Sequence, residues 1–270
     1  MTRAKICVFA GSAPTSDPAH RAVAARLGTV LADAGVGIVY GGGRLGMMGA
    51  FADAALAAGA EVLGIVPRGL FRAEEVHPGV TLHEVDSLHD RKLEMLQRAD
   101  AFVALPGGFG TLDETFELLT LVQTGRAVPA PIVFLDPPDK PFWKPIMAGL
   151  MPTLLAHSVI SPEDTGLYRI TGSVEEAANV INGFYANYHS LRHVDGTLVL
   201  RMEREIPDTE LDRLRSGFAH LCGSGTIERS GPTRAESRDS DNLTKKRLVL
   251  DYSGHGYAPL LPLIEAINRH

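Results

Sequence analysis

Along the first two-thirds of the chain, short β-branched and aliphatic runs alternate with longer alanine- and leucine-rich stretches of helical spacing. Lys5–Phe9, Gly37–Tyr40, Glu61–Val66, Ala101–Leu105 and Pro131–Leu135 are nearly continuous in apolar residues. That pattern marks strands buried on both faces, which is how parallel sheets occur. Between them, Ala19–Ala34, Gly46–Ala58, His89–Ala99 and Thr111–Thr124 read as helices. Asp17-Pro18 supplies an N-cap and a first-turn proline ahead of the first helix, and Gly35 a stop behind it. Two further helices are predicted near Phe142–His157 and Ser173–His189, with a short strand Leu167–Thr171 between them. Ser173 and Glu176 have the spacing of a capping box. This alternation predicts an α/β fold, a doubly wound parallel sheet of Rossmann-like type.

The pattern changes after Tyr188. Thr197–Met202 alternates as a strand, Asp208–Leu221 as an amphipathic helix, and Gly225–Arg229 and Leu248–Tyr252 as further strands. Arg234–Lys246 is polar and charged and reads as a turn or loop, and Ala258–Asn268 as a closing apolar helix. The chain is therefore divided into residues 1–190, a nucleotide-binding α/β domain, and residues 191–270, a small C-terminal α+β extension. The extension carries no recognisable active-site constellation. Its expected role is to enlarge an oligomer interface or cover a pocket mouth, which truncation near Ser190 would test.

Composition excludes several classes. With 45% hydrophobic and 21% charged residues the chain is that of a globular protein, not a disordered one. A formal net charge of −6 recommends neither a nucleic-acid polymer nor an anionic membrane as partner. No basic segment followed by a long apolar stretch opens the chain, and no apolar run reaches the roughly 18 residues of a membrane span. The two cysteines, Cys7 and Cys222, read as buried thiols, and the ten histidines include no HExxH zinc motif. The expectation is a cytoplasmic protein without a metal.

In an open parallel sheet, ligands bind where the carboxyl ends of strands feed into helices. Those loops here are glycine-rich: Gly11-Ser12 after the first strand, Gly41-Gly42-Gly43 after the second, and Pro106-Gly107-Gly108-Phe109-Gly110-Thr111 after a later one. Glycine lets backbone amides approach a phosphate, and a helix N-terminus adds a favourable dipole. Alone, Gly11-Ser12 is a turn, and Gly41–Gly43 divides evenly between packing and phosphate contact. The Pro106–Thr111 segment exceeds what a turn requires. Asp113 is accounted for by the dipole of a first helical turn. Glu114 is suited to orienting ribose hydroxyls, positioning water or stabilising an oxocarbenium-like centre. In the pair Arg91-Lys92, neighbouring helical residues point about 100° apart, so one can face the pocket while the other meets solvent or an acid. Met47, Met48 and Met95 are candidates for a base pocket or for core.

Together these residues resemble the LOG family, the cytokinin riboside 5′-monophosphate phosphoribohydrolases. The family hallmark PGGxGTxxE is complete from Pro106 to Glu114, and its companion matches Arg91-Lys92-Leu93-Glu94-Met95. Gly11-Ser12 and the run from Tyr40 through Gly46-Met47-Met48-Gly49 also fit. Leu88 stands where many members carry methionine. The resemblance covers roughly Lys5 to Tyr188. It implies hydrolysis of a nucleoside 5′-monophosphate, a cytokinin riboside 5′-monophosphate or AMP, to free base and ribose 5-phosphate. It also implies Arg91 and Glu114 as the catalytic pair and the Pro106–Thr111 loop as phosphate holder. Gly11, Ser12, Gly42, Gly43, Met47 and Lys92 complete the expected substrate-binding set. A homodimer or higher homo-oligomer is implied, and no cofactor.

Family members have often been labelled lysine decarboxylases. That reaction uses pyridoxal phosphate on a Schiff-base lysine, and Lys92 has no surroundings suited to the role; absorbance near the pyridoxal band tests this. The main rival is a non-catalytic nucleotide or cofactor carrier on the same fold, which would need the loops but not the acid. NAD-dependent chemistry is disfavoured, because no GxGxxG with an acid about twenty residues on accompanies Gly41–Gly43.

Overall fold

A computed structural model of the protein describes residues 5–14, 16–69 and 75–270. The chain forms two compact units, Met1–Thr120 with Ala130–Ile181, and Leu121–Pro129 with Asn182–His270.

In the first unit, seven strands pair in parallel: β1 (Lys5–Phe9), β2 (Gly37–Tyr40), β3 (Val62–Pro67), β4 (Thr81–Val85), β5 (Ala101–Ala104), β6 (Ile132–Leu135) and β7 (Arg169–Thr171). The spatial order is β4-β3-β2-β1-β5-β6-β7. The chain thus starts at the centre, winds out to one edge, returns beside β1 and winds out to the other. Strand order reverses between β1 and β5, and that switch point opens a crevice beyond their carboxyl ends. The helices are α1 (Pro18–Asp33), α2 (Gly46–Ala57), α3 (Leu88–Gln97), α4 (Phe109–Gln123), α5 (Trp143–Ala156) and α6 (Val174–Phe184). One core cluster joins Ile6, Val8 and Val103 of the central strands to Leu27 and Leu31 of α1 and Phe51 of α2. Side chains of alternate parity, among them Phe9 and Phe102, stack at 6.1 Å. Both faces of the central strands are therefore buried, as their unbroken apolar runs require.

β4 was not anticipated. Its residues are largely exposed, as befits an edge strand, so it lacks the continuous apolar run that betrayed the others. Ser173 accepts from the Glu176 amide at 3.2 Å, but the Glu176 carboxylate turns to the Thr171 hydroxyl, so only half of the capping box forms.

The start of α5 depends on one side chain. Asp136, buried just after β6, accepts hydrogen bonds from the amides of Phe142, Trp143 and Lys144 at 2.9, 2.8 and 2.9 Å. Asp136→Ala leaves three donors without their acceptor and is expected to cost about 3 kcal/mol, read as a lowered midpoint in chemical denaturation.

The second unit holds an antiparallel sheet of β8 (Tyr188–Val194), β9 (Thr197–Met202), β10 (Glu228–Ser230) and β11 (Lys246–Leu250), in the order β10-β11-β9-β8. Its helices are α7 (Asp208–Gly217), α8 (Arg234–Asp239) and α9 (Leu261–Asn268). Two expectations are corrected here. The helix predicted to reach His189 ends at Phe184, because Asn268 of α9 intervenes. The Asn268 side chain donates to the Phe184 carbonyl at 2.6 Å and accepts from the Asn187 and Tyr188 amides at 2.8 and 2.7 Å. β8 begins at that point and runs across residue 190, so a truncation near Ser190 severs it, whereas one before Asn182 removes it whole. On β8, His189 and His193 stand four residues apart, which in a strand is about 13 Å. Among the described residues no group of three or more His, Cys, Asp or Glu is placed to hold a metal ion. No helix among them is long and apolar enough to cross a membrane.

The segment Arg234–Lys246, expected as a loop, contains α8. Its capping box is complete, Thr233 accepting from the Glu236 amide and Glu236 from the Thr233 amide. Arg201 and Arg247 lie directly opposite one another on β9 and β11, both buried. Like charges so placed repel. Glu236, wholly buried, relieves them by accepting from Arg201 at 2.8 Å and Arg247 at 3.1 Å. Burial pushes the Glu236 carboxyl up, but bonds from the Thr233 amide, Arg247 and Arg201 prevail and hold it at about 2, below the ordinary 4.5. A depressed carboxyl contributes stability that is complete above its unfolded value and lost as pH falls through its folded one. Relative to Glu236→Gln, the protein should be stabler by about 3 kcal/mol at neutral pH, the gap closing as pH falls from about 4.5 to 2. Denaturation at stepped pH measures it.

Candidate active site

A cavity of about 510 Å³ opens at the switch point of the parallel sheet. The loop after β1 lines it with Ala10, Gly11, Ser12, Ala13 and Ser16, and α1 adds His20. Met47 and Met48 come from α2, Arg91 from α3, and Phe142 from the residue before α5. Pro106, Gly107, Gly108, Gly110, Thr111 and Glu114 come from the loop after β5 and from α4. The motifs separated by ten residues of sequence thus meet in one depression.

At its floor Arg91 and Glu114 form a buried ion pair, Nη1 donating to the carboxylate at 2.7 Å with side chains 12% and 8% exposed. The Arg91 Nε donates to the Ile65 carbonyl at 3.1 Å and Nη2 to the Gly41 carbonyl at 3.4 Å. Three edges of the guanidinium are therefore fixed by three different elements. Gly41 is required for this, since a Cβ there would overlap the guanidinium. Burial pushes the Glu114 carboxyl above the usual carboxylate range; the Arg91 charge opposes the rise without cancelling it. Cys7 lies beneath, where burial and the Glu114 charge push its thiol well up, so it stays protonated and is no nucleophile.

The helix carrying Glu114 begins at Phe109, two residues before the expected start, so Asp113 and Glu114 belong to its second turn. The first-turn dipole is not what accounts for Asp113. It pairs with Lys92 at 2.9 Å, and Glu117 pairs with the same ammonium at 2.8 Å. Arg91 and Lys92 thus divide as their 100° offset allows: one faces the cavity, the other the α3–α4 surface.

Of the residues expected to bind substrate, Gly11, Ser12, Met47, Pro106, Gly107, Gly108, Gly110 and Thr111 line the cavity, while Gly42, Gly43 and Lys92 do not. The Gly42 carbonyl accepts from the His77 amide at 3.0 Å, and Gly43 bridges to Val76, so these glycines secure a neighbouring segment. Met95 is core. Gly107 is fixed by packing, because a Cβ would overlap the Thr111 side chain. Ala10, Ala13, Ser16, His20 and Phe142 were not singled out from the sequence. Ser16 and His20 flank the Asp17-Pro18 helix start just beyond β1, a position that could have signalled them. Phe142 carries no such signal.

Besides α3, whose first turn is capped by the Ser87 hydroxyl, four helices point N-termini toward this region, and three are already occupied. The α1 cap is the Asp17 carboxylate, which accepts from the Ala19 amide at 2.9 Å and repels an anion. The α2 amides of Met47 and Met48 donate to the Gly11 carbonyl at 3.0 and 3.3 Å. The α5 amides are taken by Asp136. On α4 the first helical bond is from Leu112 to the Gly108 carbonyl at 3.0 Å. The amides of Phe109, Gly110 and Thr111 precede it and by helix geometry have no intrahelical acceptor. That end has the chemistry to take an anion.

Residues 48–181 match the family described as possible lysine decarboxylase. The probable cytokinin riboside 5′-monophosphate phosphoribohydrolase LOGL5 of Oryza sativa subsp. japonica is 43% identical over 122 residues, 44% of this chain and 49% of its own length. The Arabidopsis thaliana cytokinin riboside 5′-monophosphate phosphoribohydrolase LOG7 is 43% identical over 124 residues, 45% of this chain and 56% of its own length. The chain spans about half the length of the curated relatives it matches. Among solved structures, a molybdenum cofactor binding protein from the phototrophic bacterium Rippkaea orientalis has the same fold, with TM-score 0.51 and 21% identity. That likeness covers 67% of this chain and 97% of that one. With both motifs meeting at one switch-point cavity, residues 48–181 matching the family model and relatives of this kind 43% identical over just under half of the chain, the α/β unit is similar to the LOG family.

Proposed function

We propose that the protein is a cytoplasmic hydrolase that cleaves the N-glycosidic bond of a nucleoside 5′-monophosphate, releasing free base and ribose 5-phosphate. A cytokinin riboside 5′-monophosphate, AMP or both are the substrates, as the names of the relatives suggest. The observation that carries this reading is the buried Arg91–Glu114 pair beside the free amides of α4.

The phosphate sits on the amides of Phe109, Gly110 and Thr111, where the helix dipole favours its charge. The ribose then lies over Glu114. As the C1′–N bond breaks, its electron pair leaves with the base and positive charge builds on the sugar ring. The Glu114 carboxylate stabilises that charge and accepts a proton from the attacking water, whose oxygen bonds to C1′. The departing base takes up that proton, directly or through solvent, which returns Glu114 to its carboxylate. Arg91 is a clamp in this scheme: with donors committed to Ile65, Gly41 and Glu114, it keeps the carboxylate ionised and aimed. The reaction consumes only water, so it calls for no cofactor.

A homo-oligomer is part of the proposal. Phe109 is 92% exposed at the head of α4, and Leu88 and Leu93 are exposed on α3, an apolar surface of the kind that partner subunits cover. Sedimentation velocity reads the mass.

The test is a panel of nucleoside 5′-monophosphates and the matching nucleosides, with chromatographic detection of free base and ribose 5-phosphate. Release from the monophosphates alone supports the proposal. Tight AMP binding without release of base favours the carrier alternative.

A further inference from the structure

One wall of the cavity is used neither by the anion site nor by the Arg91–Glu114 pair. It consists of Ser16, His20 and Phe142. The Ser16 hydroxyl oxygen is buried and has no hydrogen-bond partner. A buried hydroxyl left so is unfavourable, and a bound ligand is the ordinary remedy. His20 lies in the first turn of α1 with Nε2 3.2 Å from the Lys140 carbonyl oxygen. A carbonyl can only accept, so Nε2 carries the proton and Nδ1 of the neutral ring is left as an acceptor. Phe142 is held by its amide bond to Asp136, and its ring meets Trp143 edge-on at 5.2 Å and 89°. The wall thus offers one hydroxyl, one imidazole acceptor and one anchored aromatic ring.

This chemistry is unsuited to phosphate and suited to a flat, neutral heteroaromatic ring. The occupied N-termini of α1, α2 and α5 leave the phosphate to α4, and Glu114 marks the sugar. The base is therefore assigned to the remaining wall. Resting on the hydrolase reading above, we propose that Ser16, His20 and Phe142 form the subsite of the leaving base and select an aminopurine over an oxopurine. An exocyclic amino group donates to His20 Nδ1, while an adjacent ring nitrogen accepts from the Ser16 hydroxyl. Phe142 flanks the ring. An oxopurine turns a carbonyl lone pair toward the imidazole lone pair, and a site built to accept from an amino group rejects it.

The experiment compares the parent enzyme with His20→Ala and Ser16→Ala, measuring AMP and IMP kinetics and the binding of ribose 5-phosphate by calorimetry. The parent should prefer AMP over IMP by about tenfold or more in kcat/KM, a preference that His20→Ala removes. KM for AMP should rise about tenfold in either variant. Ribose 5-phosphate, which does not reach the wall, should bind within about twofold of parental affinity, as for independent sites. An unchanged AMP-to-IMP ratio in His20→Ala overturns the proposal. So does a parallel loss of ribose 5-phosphate binding, which would mean a merely structural role. If the parent enzyme cleaves neither nucleotide, the hydrolase reading fails separately. Calorimetric AMP and IMP affinities of the same three proteins then decide the subsite.

Discussion

Glu114→Gln is expected to lower kcat for AMP by at least about a hundredfold, the usual scale for removing an acid–base or charge-stabilising group. KM should change little, because the phosphate is held by main-chain amides that the substitution does not touch. The amide side chain is nearly isosteric and still accepts from Arg91, so the fold should survive and the loss will report chemistry. Discontinuous assay of base release against substrate concentration separates the two constants. Parental kcat in this variant would remove Glu114 from the mechanism. The pH profile of the parent enzyme carries a linked expectation. Burial lifts the Glu114 carboxyl above the usual carboxylate range. If its ionised form is the active one, the acid limb of the kcat/KM profile must lie above that range as well. Glu114→Gln should lose that limb.

Arg91→Met is expected to be as damaging, for a different reason. It strands the Glu114 carboxylate in a buried site without its counter-charge, which for a broken buried pair costs about 3–5 kcal/mol. The carboxyl avoids that cost by holding its proton. The charge of Arg91 is what restrains the rise already present in Glu114. Without it the acid limb should move to still higher pH. Activity at neutral pH should fall by about a hundredfold or more, with partial recovery as pH rises. Arg91→Lys should not rescue it, since an ammonium cannot reproduce the planar fork that meets Ile65, Gly41 and Glu114 together. A profile shifted the other way, or full activity in Arg91→Lys, would show that the clamp is not its role. Either pattern is readable by rate measurements across pH on purified variants.

Much of the α/β unit was legible because each signal is local. β1, β2, β5 and β6 are buried on both faces, so their apolar runs are unbroken and their bounds fell within a residue of expectation. The Pro106–Thr111 loop, Arg91 and Glu114 were also recognisable, since glycine at a helix start and an acid just beyond it have meaning before any tertiary contact forms. Positions where local chemistry is ambiguous behaved differently. Gly42 and Gly43 looked as suited to phosphate as Gly11, yet their backbone is engaged by residues 76 and 77. Lys92 looked equivalent to Arg91 until the helix face and the acids Asp113 and Glu117 separated them.

By itself, the order of apolar runs and glycine-rich loops determined a parallel sheet with a switch-point site, while the choice of Arg91 and Glu114 as its pair rested on the family resemblance. Tertiary structure decided that the α2 and α5 ends are taken by the Gly11 carbonyl and Asp136, whereas the Asp17 cap of α1 was already legible in the sequence. It alone ended α6 at Phe184 through Asn268, and made α8 a helix through the buried Glu236 between two arginines. The Gly11 carbonyl for α2, Asn268 for α6 and the arginines for Glu236 are all distant along the chain from the groups they meet. A hydrogen-bonding group declares its own capacity in the sequence, but which partner satisfies it is known only once the fold has brought the two together.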